Sequence, residues 1–276
     1  MQSVNDGITG KTKLQSGNCP KSQLMKLSVI IITKNEARYI QECLDSVKFA
    51  NEWIIVDSGS TDGTQDIARA FGATVIETAD WPGFGPQKNR ALDAATGDWV
   101  LSIDADERIP DDLRAEILTA IESGRQPAYA IPRLSSYCGY FIRHSGWYPD
   151  YIVRLFQRDA GRFSTDLVHE SVKLNRDDCG KLKNHMLHYS YADDETYLRK
   201  LQQYSTLGAQ QAFARGKRTG LAGAILHGCT SFLRSYITRR GFLDGKAGVM
   251  VALSSAESTY HKYFKLMLMT EAEKKK

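Results

Sequence analysis

Residues 27–47 read LSVIIITKNEARYIQECLDSV. The first seven letters are an apolar, mostly β-branched run closed by a threonine, the pattern of a strand buried on both faces. After the polar break of Lys34, Asn35 and Glu36, the residues Tyr39, Ile40, Cys43, Leu44 and Val47 recur at helical steps. A strand running into an amphipathic helix predicts a βα unit, and the unit repeats. WIIVDS (53–58) predicts a second strand, and TDGTQDIARAFG (61–72) a helix opened by a capping residue and closed by Gly72. ATVIET (73–78) predicts a third strand, PQKNRALDAATG (86–97) a helix with proline at its start and glycine at its end, and WVLSID (99–104) a fourth strand. This alternation predicts a parallel α/β sheet.

Past Pro110 the order loosens. A helix is expected over 111–122, then short strands in AYAIPRL, YIVRLFQR, HESVKL and MLHYSY, and helix from Asp193 to near the end. The expected organisation is a disordered leader (1–26), an α/β domain (27–192) and a helical C-terminal region (193–276).

The chain of 276 residues carries 42% apolar and 25% charged residues, enough for a sizeable core. Its net charge of +4 is too weak to indicate nucleic acid, and none is expected as a partner. Five cysteines (Cys19, Cys43, Cys138, Cys179, Cys229) show no CxxC spacing, which fits a reducing cytoplasm better than a disulfide framework. The basic and apolar stretch around RSYITRRGF (234–242) suits peripheral contact with an anionic inner-membrane surface.

In an open parallel sheet, ligands bind at the carboxyl ends of the strands. Asp57 and Asp104 stand at two such ends and Glu36 follows a third. Asp104 and Asp106 are two apart, and on extended backbone they face the same way. Paired carboxylates need a cation, and Mg²⁺ or Mn²⁺ is the hard divalent ion that oxygen ligands select. Such an ion bridges a diphosphate and neutralises leaving charge. Three readings fit: a phosphohydrolase of the haloacid dehalogenase type using Asp104, a nucleotide-sugar glycosyltransferase, and a non-catalytic nucleotide-sugar binding module. The phosphohydrolase pattern places DxD after its first strand, with Thr or Val two positions later. Here DxD follows three βα units, and Arg108 holds that position.

The stretches SVIIITKNEARYIQECLDSV, IIVDSGSTDGT and KNRALDAATGDWVLSIDADE, in that order, resemble the inverting family 2 glycosyltransferases with the A-type fold. VHESV, LHYSYADDETYLRKLQQYS and SYITRRGFLDGKAG resemble a narrower branch acting in lipopolysaccharide core assembly, including β-1,4-glucosyltransferases that act on inner-core heptose. The resemblance implies an A-type fold, a UDP-sugar donor with glucose as the first choice, a lipid-anchored glycan acceptor and a Mg²⁺ or Mn²⁺ cofactor. The alternative within this class is a different donor or another cell-surface glycan.

The resemblance further implies that Thr33, Asn35 and Glu36 line the nucleotide pocket and that Asp57 accepts a hydrogen bond from uracil. Lys88, near a helix start, is placed to reach the diphosphate. Asp104 is expected on the ribose or metal, Asp106 on the metal, and His188 as the completing ligand, with His185 as its alternative. An inverting displacement needs one base; Glu170 in VHESV is the first choice and Asp150 the second. Trp147 and Tyr148 are candidates for a sugar platform, and Arg154 for an acceptor phosphate. Asp62 is expected to cap a helix and Arg90 to pair with a neighbouring acid.

Overall fold

The computed structural model describes residues 25–164, 171–174, 178–191 and 193–275. The first half follows the expected alternation: β1 (Leu27–Thr33), α1 (Ala37–Ser46), β2 (Glu52–Asp57), α2 (Thr64–Phe71), β3 (Thr74–Glu77), α3 (Phe84–Ala94) and β4 (Trp99–Ser102). α3 starts two residues before Pro86, so the proline sits in the first turn, where its missing N–H breaks no helical bond. Consecutive residues of β1 go to opposite sides of the sheet. Val29 and Ile31 enter a core with Ile40, Leu44 and Ile117, whereas Ile30 enters a second core with Leu92, Val100 and Phe156. The unbroken apolar run is therefore a strand covered on both faces.

The second half contains β5 (Glu107–Arg108), α4 (Asp111–Ser123), β6 (Ala128–Tyr137), β7 (Tyr140–Phe141), β8 (Asp150–Gln157), β9 (Arg162–Phe163), β10 (Val172–Lys173), β11 (Cys179–Lys181) and β12 (Met186–Tyr191). The main sheet runs β3-β2-β1-β4-β8-β6-β12-β5, with β7 and β11 also on β6. The expected parallel pairing holds for β1 to β4, and β11 and β12 also run parallel to β6. β8 lies antiparallel to both β4 and β6, so the sheet is mixed. The cause is the connection: between β6 and β8 there is only β7, no crossover helix, and a return without a crossover is antiparallel.

Two pairings place the site. β1 and β2 run in register, with Thr33 opposite Asp57 at their shared carboxyl edge. β12 lies between β6 and β5, which sets His188 opposite Ser135 on one side and Glu107 on the other.

The C-terminal region folds as α5 (Asp194–Ala214), α6 (Leu221–Leu233) and α7 (Gly245–Lys274). Asp193 caps α5 by accepting the Thr196 N–H at 2.7 Å. A π turn (Arg234–Thr238) and a 3₁₀ turn (Gly241–Asp244) join α6 to α7. Gly248 lets that 3₁₀ turn lie directly on α7, because a Cβ there would sit 1.7 Å from the Gly241 carbonyl oxygen. Tyr137 and Ile142 of the sheet region share a core with Tyr197, Leu201, Ala247 and Val251. The helices are thus anchored to the sheet across residue 192.

Candidate active site

The loops after β1 and β2 are tied to each other. Asn35 takes φ 57°, a left-handed conformation that asparagine tolerates. Its N–H donates to Ser60 Oγ at 2.7 Å, and its Oδ1 accepts the Thr61 N–H at 2.9 Å. Asp62 accepts the N–H groups of Ala37 (3.0 Å) and Thr64 (3.1 Å), so it holds the starts of α1 and α2 together. Arg90 makes a two-pronged pair with Asp80 at 2.9 and 2.7 Å.

Asp57 is fully buried at the end of β2. It accepts from Thr33 Oγ1 (2.7 Å), the N–H groups of Gly59 (3.1 Å) and Ser60 (2.8 Å), Ser60 Oγ (2.5 Å) and Gln65 Nε2 (2.6 Å). Burial alone would push its pKa up, but the Ser60, Gln65 and Thr33 hydrogen bonds outweigh it and hold the carboxylate below its usual value. A carboxylate offers about four lone-pair sites. A base N–H therefore reaches Asp57 only by displacing one of these donors.

Asp104 and Asp106 do not lie on extended backbone. β4 ends at Ser102, and the Asp104 carbonyl accepts the Glu107 N–H at 2.9 Å, which makes the DADE segment a turn. The expectation that the two carboxylates point together fails for that reason. Asp104 faces Lys88 Nζ at 3.2 Å and Arg154 Nη2 at 2.6 Å. Burial would raise its pKa, but Arg154 and then Lys88 hold it well below the usual carboxylate range. Asp106 instead faces His188, with Oδ2 3.3 Å from Nε2.

Arg154 corrects another expectation. Rather than reaching for an acceptor phosphate, it is 4% exposed and bonds both Asp104 and Glu107, each at 2.6 Å. A cation in the middle of β8 is retained by these two acids. Glu107 is fully buried, and its Oε2 also accepts the Asp104 N–H at 2.9 Å, closing the turn on itself. Burial pushes the Glu107 pKa up, against the pull of Arg154.

The His188 ring is fixed from behind, since Nδ1 lies 2.9 Å from Ser135 Oγ. With Nδ1–H donating to Ser135, Nε2 is left to share a ligand with Asp106. One carboxylate and one oriented imidazole are donors that suit Mg²⁺ or Mn²⁺, so Asp106 and His188 are the described residues that would hold such an ion. Asp104 is not part of that pair, because its two oxygens are engaged by Lys88 and Arg154. Among the described residues no three His, Cys, Asp or Glu side chains converge on one point. His185 packs edge-on against the Tyr148 ring, and burial pushes its pKa down.

Three cavities surround this turn. One of about 370 Å³ is lined by Arg133, Trp147, Asp150, His188, Tyr191 and Lys200. In it Asp150 Oδ2 accepts from Arg133 Nε (3.2 Å) and Nη2 (2.8 Å). A second, of about 410 Å³, is bounded by Lys88, Asp104, Arg133, Arg154 and Phe163. A third, of about 320 Å³, lies among Ile32, Thr33, Lys34, Glu36, Trp81 and Phe84. Trp81 and Phe84 meet edge to face at 5.0 Å and both remain exposed. Glu170 lies outside the described residues.

Glu36 has its pKa pushed up to about 7, first by burial and then by the charges of Asp106, Asp62 and Asp104. The native state keeps this proton at a pH where the unfolded chain has lost it, so stability falls as pH rises from about 4.5 to about 7. Glu36→Gln removes the penalty. Discounted for its partial exposure, the gain at pH 8 is about 1 kcal/mol. Melting curves should place the variant about 2–4 °C above the parent at pH 8 and level with it at pH 4.5; equal curves at both pH values would remove this account.

Sequence reasoning missed Glu107, Arg133, Lys200 and the Trp81–Phe84 pair. For Glu107 a signal existed in the third acid of DADE. The others have no spacing that marks them.

Comparison with known proteins agrees with this architecture. The glycosyl transferase family 2 model matches residues 28–176. A glycosyltransferase of Rickettsia prowazekii (strain Madrid E) is 32% identical over 255 residues, covering 88% of this chain and 87% of its own. The lipopolysaccharide core biosynthesis glycosyltransferase LpsC of Rhizobium meliloti (strain 1021) is 29% identical over 259 residues, covering 87% and 93%. Among solved structures, the mannosyltransferase PcManGT from Pyrobaculum calidifontis, in complex with GDP-Man and Mn²⁺, superposes with a TM-score of 0.51 at 17% identity, over 89% of this chain and 88% of that one. That similarity speaks for a shared A-type fold. On the family match over more than half its length, this chain belongs to glycosyl transferase family 2.

Proposed function

We propose that this glycosyltransferase moves glucose from UDP-glucose to a heptose of the lipopolysaccharide inner core, with inversion and with the help of Mg²⁺ or Mn²⁺. The observation that carries the reading is the acid turn. One of its carboxylates, Asp106, is paired with a fixed imidazole, and the other, Asp104, is flanked by two buried cations, at the sheet edge where β1 and β2 also end. The similarity to LpsC supports the acceptor class. The donor base is assigned to the cavity of Thr33, Glu36, Trp81 and Phe84, where two exposed aromatic rings offer a stacking surface.

A bound divalent ion would supply charge neutralisation for the leaving diphosphate. Lys88 and Arg154 add a preorganised positive field beside it. The acceptor sugar occupies the cavity of Trp147, Asp150 and His188. One carboxylate removes the proton of the attacking hydroxyl as the diphosphate departs, and no covalent enzyme intermediate forms. Asp150 is held by Arg133, which suits it to orienting the acceptor; Glu170 is assigned as the base. Glu170→Gln should then lower kcat by about 10²–10⁴-fold with the donor KM unchanged, whereas Asp150→Asn should mainly raise the acceptor KM. Measuring hexose transfer to purified inner-core acceptor checks both. Full activity in the two variants together would overturn the assignment, and release of the sugar with retained configuration would overturn the mechanism.

Contact with an anionic inner leaflet is part of the proposal. Leu221, Ile225, Leu226 and Leu233 of α6 are exposed, and Arg234, Arg239 and Arg240 follow them. No helix among the described residues is long and apolar enough to cross a membrane. Co-sedimentation with phosphatidylglycerol vesicles should be strong at low salt and reversed by high salt.

A further inference from the structure

The seam between α6 and α7 holds a cavity of about 460 Å³ that shares no lining residue with the three cavities at the acid turn. Its walls carry three basic side chains, His227, Arg234 and Lys262, and three hydroxyls, Thr230, Ser231 and Thr259. None of the lining residues is an acid. Among the described residues, Arg234 and Lys262 have no carboxylate partner.

The seam itself is set by helical spacing. Ala224 and Gly228 are buried on α6 and Ser235 in the π turn that follows, and Gly228 lets α7 approach, since a Cβ there would lie 3.2 Å from Tyr260 Cβ. His227, Thr230, Ser231 and Arg234 repeat at three- and four-residue steps and so form one rim. Thr259 and Lys262 of α7 form the other.

The walls are built. The His227 ring stacks on Tyr263 with centroids 3.7 Å apart and planes 9° from parallel. The Lys262 stem lies along Gly208 of α5, where a Cβ would come within 3.2 Å of its Cδ. The hydroxyls form a chain, with Thr259 Oγ1 donating to Ser231 Oγ at 3.0 Å and Ser231 Oγ to the Ser255 carbonyl at 3.1 Å. Arg234 begins the π turn, whose Arg239 N–H reaches back to the Arg234 carbonyl at 2.8 Å. Such wide turns are rare and cluster at functional sites.

We infer that this seam is a binding site for a phosphate monoester. A compact dianion is what two cations without carboxylate partners and an imidazole around a small cavity recognise; Lys262 Nζ also lies 5.6 Å over the Tyr263 ring, and Arg234 can meet two of the anion's oxygens at once. The π turn also leads to the acceptor side. The residue that follows it, Arg239, accepts the Ser145 N–H on its carbonyl at 2.9 Å, and its side chain lies over Gly146, next to Trp147. A phosphate carried on a lipid headgroup or on a free sugar has the same chemistry, and the experiment separates them.

The test uses the full-length protein and inorganic phosphate, followed by NMR of the His227 ring, whose signal is assigned by its loss in His227→Asn. Phosphate should shift the His227 signal saturably. The double variant Arg234→Gln/Lys262→Met should weaken that binding at least tenfold, about 1.4 kcal/mol. Its melting temperature and UDP binding should stay at parent values, which separates this site from the acid turn. Phosphatidic acid vesicles that outcompete inorganic phosphate at the parent site, and not at the variant, identify a headgroup source. Vesicles without effect, beside saturable binding of glycerol 3-phosphate, identify a free monoester. No shift of His227 with phosphate up to about 100 mM, or an unchanged affinity in the double variant, overturns the site.

Discussion

Arg154→Met should lower the folding stability by about 3–5 kcal/mol at pH 7.5, the cost of stripping one partner from a buried ion pair. Methionine keeps the length and apolar stem of the side chain, so the loss is chiefly electrostatic. Glu107 is fully buried, and its nearest remaining cation would be Arg133 Nη1 at 3.7 Å. Asp104 would keep Lys88. The pH dependence between 7.5 and 5 follows from Glu107. Asp104, held down in the parent, contributes stability that is lost only below its ordinary value of 3.8, outside this range. Glu107, already pushed up, loses the pull of Arg154 and takes its proton at still higher pH, so the variant is relieved as pH falls. The gap between parent and variant must therefore narrow toward pH 5. Adding Glu107→Gln to Arg154→Met should recover part of the loss, because the stranded charge is then gone. Denaturant unfolding at pH 7.5 and pH 5 measures all of this. A loss under about 1 kcal/mol, or no recovery in the double variant, would mean that water reaches this cluster freely.

That cluster also shows where reading the sequence stops. The repeat of strand and helix from Leu27 to Ser102 was legible because each element buries its own periodic residues, and periodicity is local. The turn at Asp104 was not, because alternation assumes extended backbone, and what bends the chain is Glu107 reaching back to the Asp104 N–H. Arg154 sits in YIVRLF, whose letters give an arginine no burial signal. It is buried because acids 47 and 50 residues earlier meet it across the sheet. The same limit explains the sheet. The parallel pairing of β1 to β4 is written in crossover helices, while the antiparallel return of β8 depends on the absence of one between Tyr137 and Asp150. His188 was proposed from its motif, yet its partners, Ser135 and Asp106, come from strand register and from the turn. Residue types at the site could be read in advance. Which of them oppose each other could not, since that is fixed by pairings of β6, β12 and β5.

Asp106→Ala should reduce kcat/KM by about 10³-fold, more than any other single change among the described residues, if the carboxylate faces charge that develops in the transition state. Asp106 differs from its neighbour in what it touches. Asp104 is consumed by Lys88 and Arg154, so its replacement disturbs the fold as well as the site. Asp106 is partly exposed, its side-chain ion pair among the described residues is with His188, and its loss should leave the melting temperature within about 2 °C of the parent. A graded series then follows from geometry. His188→Gln keeps a polar atom but loses the imidazole, and should cost about 10²-fold. Ser135→Ala removes only the group that orients the ring, and should cost about tenfold. The matching equilibrium readout is stabilisation by UDP in the presence of Mn²⁺, which scales with ligand over dissociation constant. It should vanish in Asp106→Ala, shrink in His188→Gln and persist in Ser135→Ala. Loss of activity in that order with unchanged UDP stabilisation would assign Asp106 to the acceptor instead. Retention of more than a tenth of the activity by Asp106→Ala would remove the acid turn from the chemistry altogether.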